Sequence, residues 1–237
     1  MDTKALKLAA RFSLAPNILG YCGRKNAFKI FKDCIINSKC NAVKRELESF
    51  IVLDPYLETL SKITGYDKFS YSNIEAYWLG NKNLKKAKEK DYKLLISNFR
   101  KKKVPEFFLK ELKSKVPKKF IPFHLFQVLY IGVGKASGSV PYNMDSINNC
   151  MVRWGKVEKK EKDYLTINLN SLMKRGKKYN LILKKGRYTY RPEFLPNLKL
   201  GDTVAVHWRE VVKKLTKEEV RKIEYWTKQV IKLAPII

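Results

Sequence analysis

From Lys4 to about Lys115, apolar residues recur at intervals of three and four along the chain. Phe28, Phe31 and Ile35 show this spacing, and Leu47, Phe50 and Ile51 repeat it. Such a period places the apolar side chains on one face of a helix, so the first half is expected to be mostly α-helical. Breaks are expected at Ala15-Pro16-Asn17, from Gly20 to Gly23, at Asp54-Pro55 and at Thr64-Gly65, with Ser72 or Asn73 capping a helix that carries Ile74, Tyr77 and Trp78. Residues 85–119 are lysine-rich and interrupted by Phe107, Phe108, Leu109 and Leu112, which fits a surface helix or a solvated connector.

Beyond Pro117 the texture changes. Phe123 to Val133 is an apolar run containing His124, bounded by Pro122 and by Gly132 and Gly134, and suits a buried strand or a short buried helix. Gly132 to Gly138 reads as a glycine-rich turn, because its spacing matches neither phosphate-binding glycine pattern. From Val152 to Trp208 short alternating segments follow one another: Val152-Arg153-Trp154, Tyr164 to Leu169, Tyr179 to Leu183, Arg187 to Tyr190 and Thr203 to Trp208. That rhythm predicts a small β-barrel. In the last segment the two-residue period groups Val204, Val206 and Trp208 on one face and His207 with Thr203 and Ala205 on the other. Thr216 with Glu219 forms a capping box, Leu215 with Val220 a hydrophobic staple, and a closing helix with an apolar stripe through Ile223, Trp226 or Thr227, and Val230 follows. The expected class is α+β: a helical domain over residues 1–116, an apolar connector over 117–149, and a barrel plus C-terminal helix over 150–237.

Composition narrows the function. In 237 residues, 45% hydrophobic content is ample for a core without staples. Lys and Arg total 50 against 22 Asp and Glu, and the resulting +28 is expected to attract nucleic acid, anionic lipid or acidic protein. Lysine supplies most of the excess, so a lysine-rich genome would also produce it. Tyr164, Tyr179, Tyr188 and Tyr190 could stack bases amid lysines, which makes a basic RNA-binding or ribosome-associated protein the second functional expectation. Cysteines stand at 22, 34, 40 and 150 without a C-x-x-C pair, so neither a zinc ribbon nor a dithiol motif is written, and free thiols in a reducing cytoplasm are expected. No apolar stretch approaches the roughly eighteen residues of a transmembrane segment. No H-E-x-x-H and no spaced Ser/His/Asp set is present, so the chain is not expected to be an autonomous enzyme.

Two histidines exist in the whole chain. His207, near the end of an alternating strand, and Cys150, at the opening of the barrel, put an imidazole and a thiol on one small domain, both suited to a soft metal ion. Arg153 and Lys156, close in sequence to Cys150, are expected to favour its thiolate. Cys22, within Leu19-Gly20-Tyr21-Cys22-Gly23, and His124 are the secondary metal candidates; a tight turn and a core histidine are their plainer readings. Trp154 and Trp208, with Arg153 and Lys156, are the expected contacts to a partner or nucleic acid.

Two resemblances give these residues a role. Ala15-Pro16-Asn17-Ile18-Leu19-Gly20-Tyr21-Cys22-Gly23, Glu75-Ala76-Tyr77-Trp78-Leu79-Gly80-Asn81 and Phe123-His124-Leu125-Phe126 resemble an uncharacterised bacterial and archaeal family found near [NiFe]-hydrogenase genes. Cys150 with Gly155-Lys156-Val157, and Gly201-Asp202-Thr203-Val204-Ala205-Val206-His207, resemble the HypC/HupF hydrogenase-maturation chaperones over about residues 150–222. That resemblance implies an OB-like barrel and an accessory role in [NiFe]-hydrogenase assembly. It also implies docking on a hydrogenase large subunit or an acidic maturation protein, and transient iron with cyanide and carbonyl ligands held by Cys150 and His207. Here the cysteine is internal, and Trp154 stands where the family has proline.

Overall fold

The computed structural model describes residues 2–235. Helices α1 (Thr3–Ile18), α2 (Ala27–Asn37), α3 (Val43–Glu48), α4 (Leu53–Thr64), α5 (Tyr71–Trp78), α6 (Glu89–Lys101) and α7 (Glu106–Ser114) fill the first half, as the three-four spacing predicts. Their ends follow side-chain chemistry. Asp2 accepts from the Ala5 N–H at 3.0 Å to open α1. Ser70, rather than Ser72 or Asn73, opens α5, because its hydroxyl is the one that accepts from the Asn73 N–H. The lysine-rich stretch is helical: α6 and α7 bury Tyr92, Leu95, Phe108, Leu109 and Leu112 and leave Phe107 exposed.

Three further expectations fail in this half, one of them at Asp54-Pro55, which lie inside the first turn of α4. No break occurs at Pro16, and α1 runs on to Ile18 with the proline in its last turn. Proline has no N–H, so the carbonyl four residues earlier, that of Phe12, loses its intrahelical donor. Cys34 and Cys40 are also not free thiols but a disulfide, tying α2 to the turn before α3 across a Cα separation of 4.5 Å. The αL residue Ser38 reverses the chain between them and brings the two sulfurs together. The free cysteines are Cys22 and Cys150.

Of the two expectations for Phe123 to Val133, the helix is realised. α8 (His124–Phe126) widens into a π-helical turn over Gln127–Gly132, and α9 (Met144–Cys150) follows, capped by Asn143. The connector is part of the core, with Phe120, Phe123 and Phe126 buried.

Five strands then form the sheet: β1 (Arg153–Lys160), β2 (Tyr164–Arg175), β3 (Lys178–Thr189), β4 (Thr203–His207) and β5 (Glu210–Lys214). Their pairing closes in the order β1-β2-β3-β5-β4, with β4 returning antiparallel to β1 and β3 meeting β5 in parallel at Thr189 and Glu210. The segments at 179–183 and 187–190 are one strand, and β5 has no counterpart among the sequence expectations. Trp208 and Arg209, at φ +47 and +63, form the two-residue turn between β4 and β5. That turn usually calls for Asn-Gly or Asp-Gly, so nothing in its residues announces a hairpin. α10 (Lys217–Ile231) closes the chain behind the expected Thr216/Glu219 capping box.

One face of the sheet, with Val157, Leu165, Ile167, Leu169, Val204 and Val206, fills the inside. The other face, with Trp154, Leu172 and Ala205, joins a core cluster continuous with the helices. Burial on both sides explains why β4 holds no exposed residue. Among the described residues, no helix is long and apolar enough to cross a membrane.

Candidate metal centre

His207 points away from Val204 and Val206, as the strand period requires, yet that direction leads into the helical half and not to solvent; the residue is 2% exposed. Trp208 leaves the predicted face because it belongs to the turn, and it joins the helical core instead. The His207 Nδ1 lies 2.7 Å from the Phe12 carbonyl, the group that Pro16 leaves without a helical donor. A carbonyl can only accept, so Nδ1 carries the proton and Nε2 is a bare lone pair. That Nε2 is buried and makes no hydrogen bond of ordinary geometry, although the Cys150 carbonyl lies close enough to act on the ring.

Opposite it stands His124, at the start of α8. Its Nε2 donates to the Cys150 carbonyl at 2.8 Å and its Nδ1 accepts from the Tyr77 hydroxyl at 3.0 Å. The Cys150 sulfur lies 3.8 Å from His124 Nε2. One ligand atom each from His124, Cys150 and His207 falls within 4.8 Å of the others. The imidazoles meet edge to face at 5.2 Å between centroids, with the Trp78 ring against both.

All three residues line an 80 Å³ cavity that Cys22, Tyr77, Trp78 and Trp208 also line. The indole N–H of Trp78 is buried without a partner, and that of Trp208 is turned toward the Cys150 sulfur without closing a hydrogen bond of ordinary geometry. An orphaned donor beside an orphaned imidazole lone pair marks this cavity as polar in demand though aromatic in lining. The sequence reading thus named the two histidines and two cysteines that meet here, but gave Tyr77, Trp78 and Phe12 no part in the site. Only Pro16, four residues after Phe12, signalled which carbonyl would be free.

Burial sets the charge state. It pushes the Cys150 thiol well above its ordinary value, and the expected activation by Arg153 and Lys156 does not operate. The strand alternation sends Lys156 outward to solvent and Arg153 into the barrel. Trp208 lies near enough to Cys150 for its N–H to offset part of the rise. Burial likewise pushes Cys22 up to about 12 and His124 down to about 4. His207 falls well below the usual range, first through burial and then through the neighbouring His124. At neutral pH the cluster is therefore two neutral imidazoles and a thiol. It is a set of soft donors that becomes a binding site once one thiol proton leaves.

The residues expected to contact a partner do not form a surface. Arg153, Trp154 and Trp208 are buried and only Lys156 is exposed. Nor do the four barrel tyrosines line up as a stacking platform. Tyr179, Tyr188 and Tyr190 are buried, and the Arg187 guanidinium lies 4.0 Å from the centre of the exposed Tyr164 ring.

Pro16 has a testable role. Pro16→Ala restores an N–H that competes for the Phe12 carbonyl, so the His207 proton is expected to redistribute toward Nε2. The ¹⁵N chemical shifts of His207 would report the change; an unaltered tautomer would show that Pro16 does not govern it.

An α+β protein with a closed His/Cys/His cluster between its helices and its sheet is the class defined by fold and site together. The chain belongs to DUF6390, a family of unknown function, whose model matches residues 1–235. No curated protein and no solved structure matches it. The likeness to hydrogenase-maturation chaperones therefore rests on the motif residues themselves.

Proposed function

We propose that this protein is an accessory factor of metal-centre assembly that holds a soft transition-metal ion on His124, Cys150 and His207. The observation that carries the reading is the convergence of these three side chains, from α8, α9 and β4, on a cavity where His207 Nε2 makes no hydrogen bond of ordinary geometry. Ligand atoms up to 4.8 Å apart must close by roughly 1 Å to reach metal–nitrogen distances of about 2.0 Å and metal–sulfur distances of about 2.3 Å. Side-chain rotation supplies such a movement. His124 must give up its Nε2 proton contact to the Cys150 carbonyl; the Tyr77 hydroxyl, able to accept as well as donate, holds the other tautomer.

The reading extends to [NiFe]-hydrogenase assembly through the HypC-like residues and the OB-like order of the barrel strands, with docking on a hydrogenase or maturation protein. A cavity of 80 Å³ exceeds the room one water needs, and leaves space for an ion with small ligands. The free N–H of Trp78 is suited to an acceptor such as metal-bound cyanide.

Cobalt(II) titration tests the site under anaerobic conditions. The parent is expected to develop a thiolate-to-cobalt charge-transfer band, absent in Cys150→Ser, with affinity lowered at least about a hundredfold in His207→Ala. Affinity should rise with pH because the thiol must ionise. A parent that binds no cobalt would remove the metal reading; binding untouched by either substitution would place the metal elsewhere.

A further inference from the structure

The mouth of the barrel contains a second unsatisfied group, outside the Cys/His cluster. Arg153 opens β1 and shares the inward face with Gly155 and Val157, so its side chain enters the barrel end. It is 5% exposed. Its Nη1 reaches only neutral oxygens, Ser171 Oγ at 3.5 Å and Tyr188 Oη at 3.3 Å, and the Tyr188 ring lies 5.2 Å from its guanidinium carbon. Its Nε is buried without a partner. Among the described residues no carboxylate lies within ion-pair distance of it, and Asp145 attracts it only from farther away.

A buried guanidinium stays charged, and a buried charge without a counterion is destabilising. Here the missing counterion has an approach. Arg153 lines an open groove of 620 Å³ at the barrel mouth, with Lys184 and Arg209 exposed on its rim. Arg209 is set there by the left-handed turn after β4. Lys185 and Arg187 are also in the lining, but they are committed to Glu158 at 2.7 Å and Glu161 at 2.6 Å. The one acidic residue in the lining, Asp145, accepts from Asn149 Nδ2 at 3.1 Å.

The groove is the size of a small-molecule site, and barrel mouths commonly hold such sites. Three cations that form no ion pair among the described residues, one of them a buried planar fork, exceed what the single carboxylate of Asp145 balances and match a phosphate dianion. The buried tyrosines leave nothing for successive bases to stack on, which separates this groove from a single-strand track. We propose that the barrel mouth binds a phosphorylated small molecule, its phosphate seated on Arg153 between Lys184 and Arg209.

Calorimetry with pyrophosphate and with ATP at physiological ionic strength tests this on the full chain. Saturable binding is expected, weakened at least tenfold by Arg209→Gln and by Lys184→Gln, two exposed changes that leave the core intact. Arg153→Met should abolish binding while raising the melting temperature of the free protein, because it removes an uncompensated buried charge. A parent that binds neither probe would overturn the proposal, as would binding unchanged in all three variants. Binding of a single-stranded RNA oligomer that pyrophosphate cannot displace would assign the charge to nucleic acid and equally overturn it.

Discussion

Gly155→Ala is expected to cost the protein about 3 kcal/mol or more and to disrupt the barrel, although it adds a single methyl group. A Cβ at this position would lie 2.0 Å from the Asn168 carbonyl oxygen, 2.7 Å from its carbon and 2.9 Å from Leu169 Cα. Every one of these atoms is backbone, so no side-chain rotation relieves the overlap. β1 would have to withdraw from β2, where Gly155 faces Leu169, while its other edge is held by Val204 of β4. Movement to relieve one ladder breaks the other.

Gly201→Ala is the control. Gly201 also belongs to the HypC-like residues, but nothing lies within 4 Å of its would-be Cβ, so only the strain of φ +81 remains, about 1 kcal/mol. Chemical denaturation followed by circular dichroism would separate the two. Equal losses in both variants would contradict close strand contact as the reason for Gly155.

The helices and the direction of His207 were legible in the sequence because both rest on local periods, 3.6 and 2, that the chain obeys. What His207 faces was not legible. The strand period says only that its ring leaves the barrel interior, and a second layer of structure decides whether that means water or the Phe12 carbonyl. The Cys34–Cys40 bond was hidden for a similar reason, since it depends on Ser38 adopting φ +62 between them. β5 escaped because a Trp-Arg turn carries no turn signal. Arg153 and Trp208 looked like surface contacts from composition. Their burial follows from alternation along β1 in one case and from the hairpin turn in the other.

The same pairing that makes the cluster a candidate ligand set makes the metal-free protein sensitive to acid. In the folded chain His124 is held neutral by burial down to about pH 4, whereas an unfolded histidine takes up its proton near 6.5. Below 6.5 the unfolded state therefore binds a proton that the folded state refuses, and stability falls with pH until about 4. The interval corresponds to about 3 kcal/mol from His124 alone, a large share of the roughly 5–15 kcal/mol that holds a domain together. His207, shifted in the same direction, adds to the loss.

His124→Gln isolates the effect, because an amide can donate to the Cys150 carbonyl and accept from Tyr77 without titrating. In chelator-treated protein, urea midpoints are measured at pH 7, 5.5 and 4; as the pH falls the parent should lose stability relative to the variant, so that the difference between them shifts steadily in the variant's favour. The background from protonating paired carboxylates such as Asp202 and Glu161 is common to both and cancels. Parallel curves for the two proteins would show that His124 is protonated without cost, and that the site is wetter than its burial indicates.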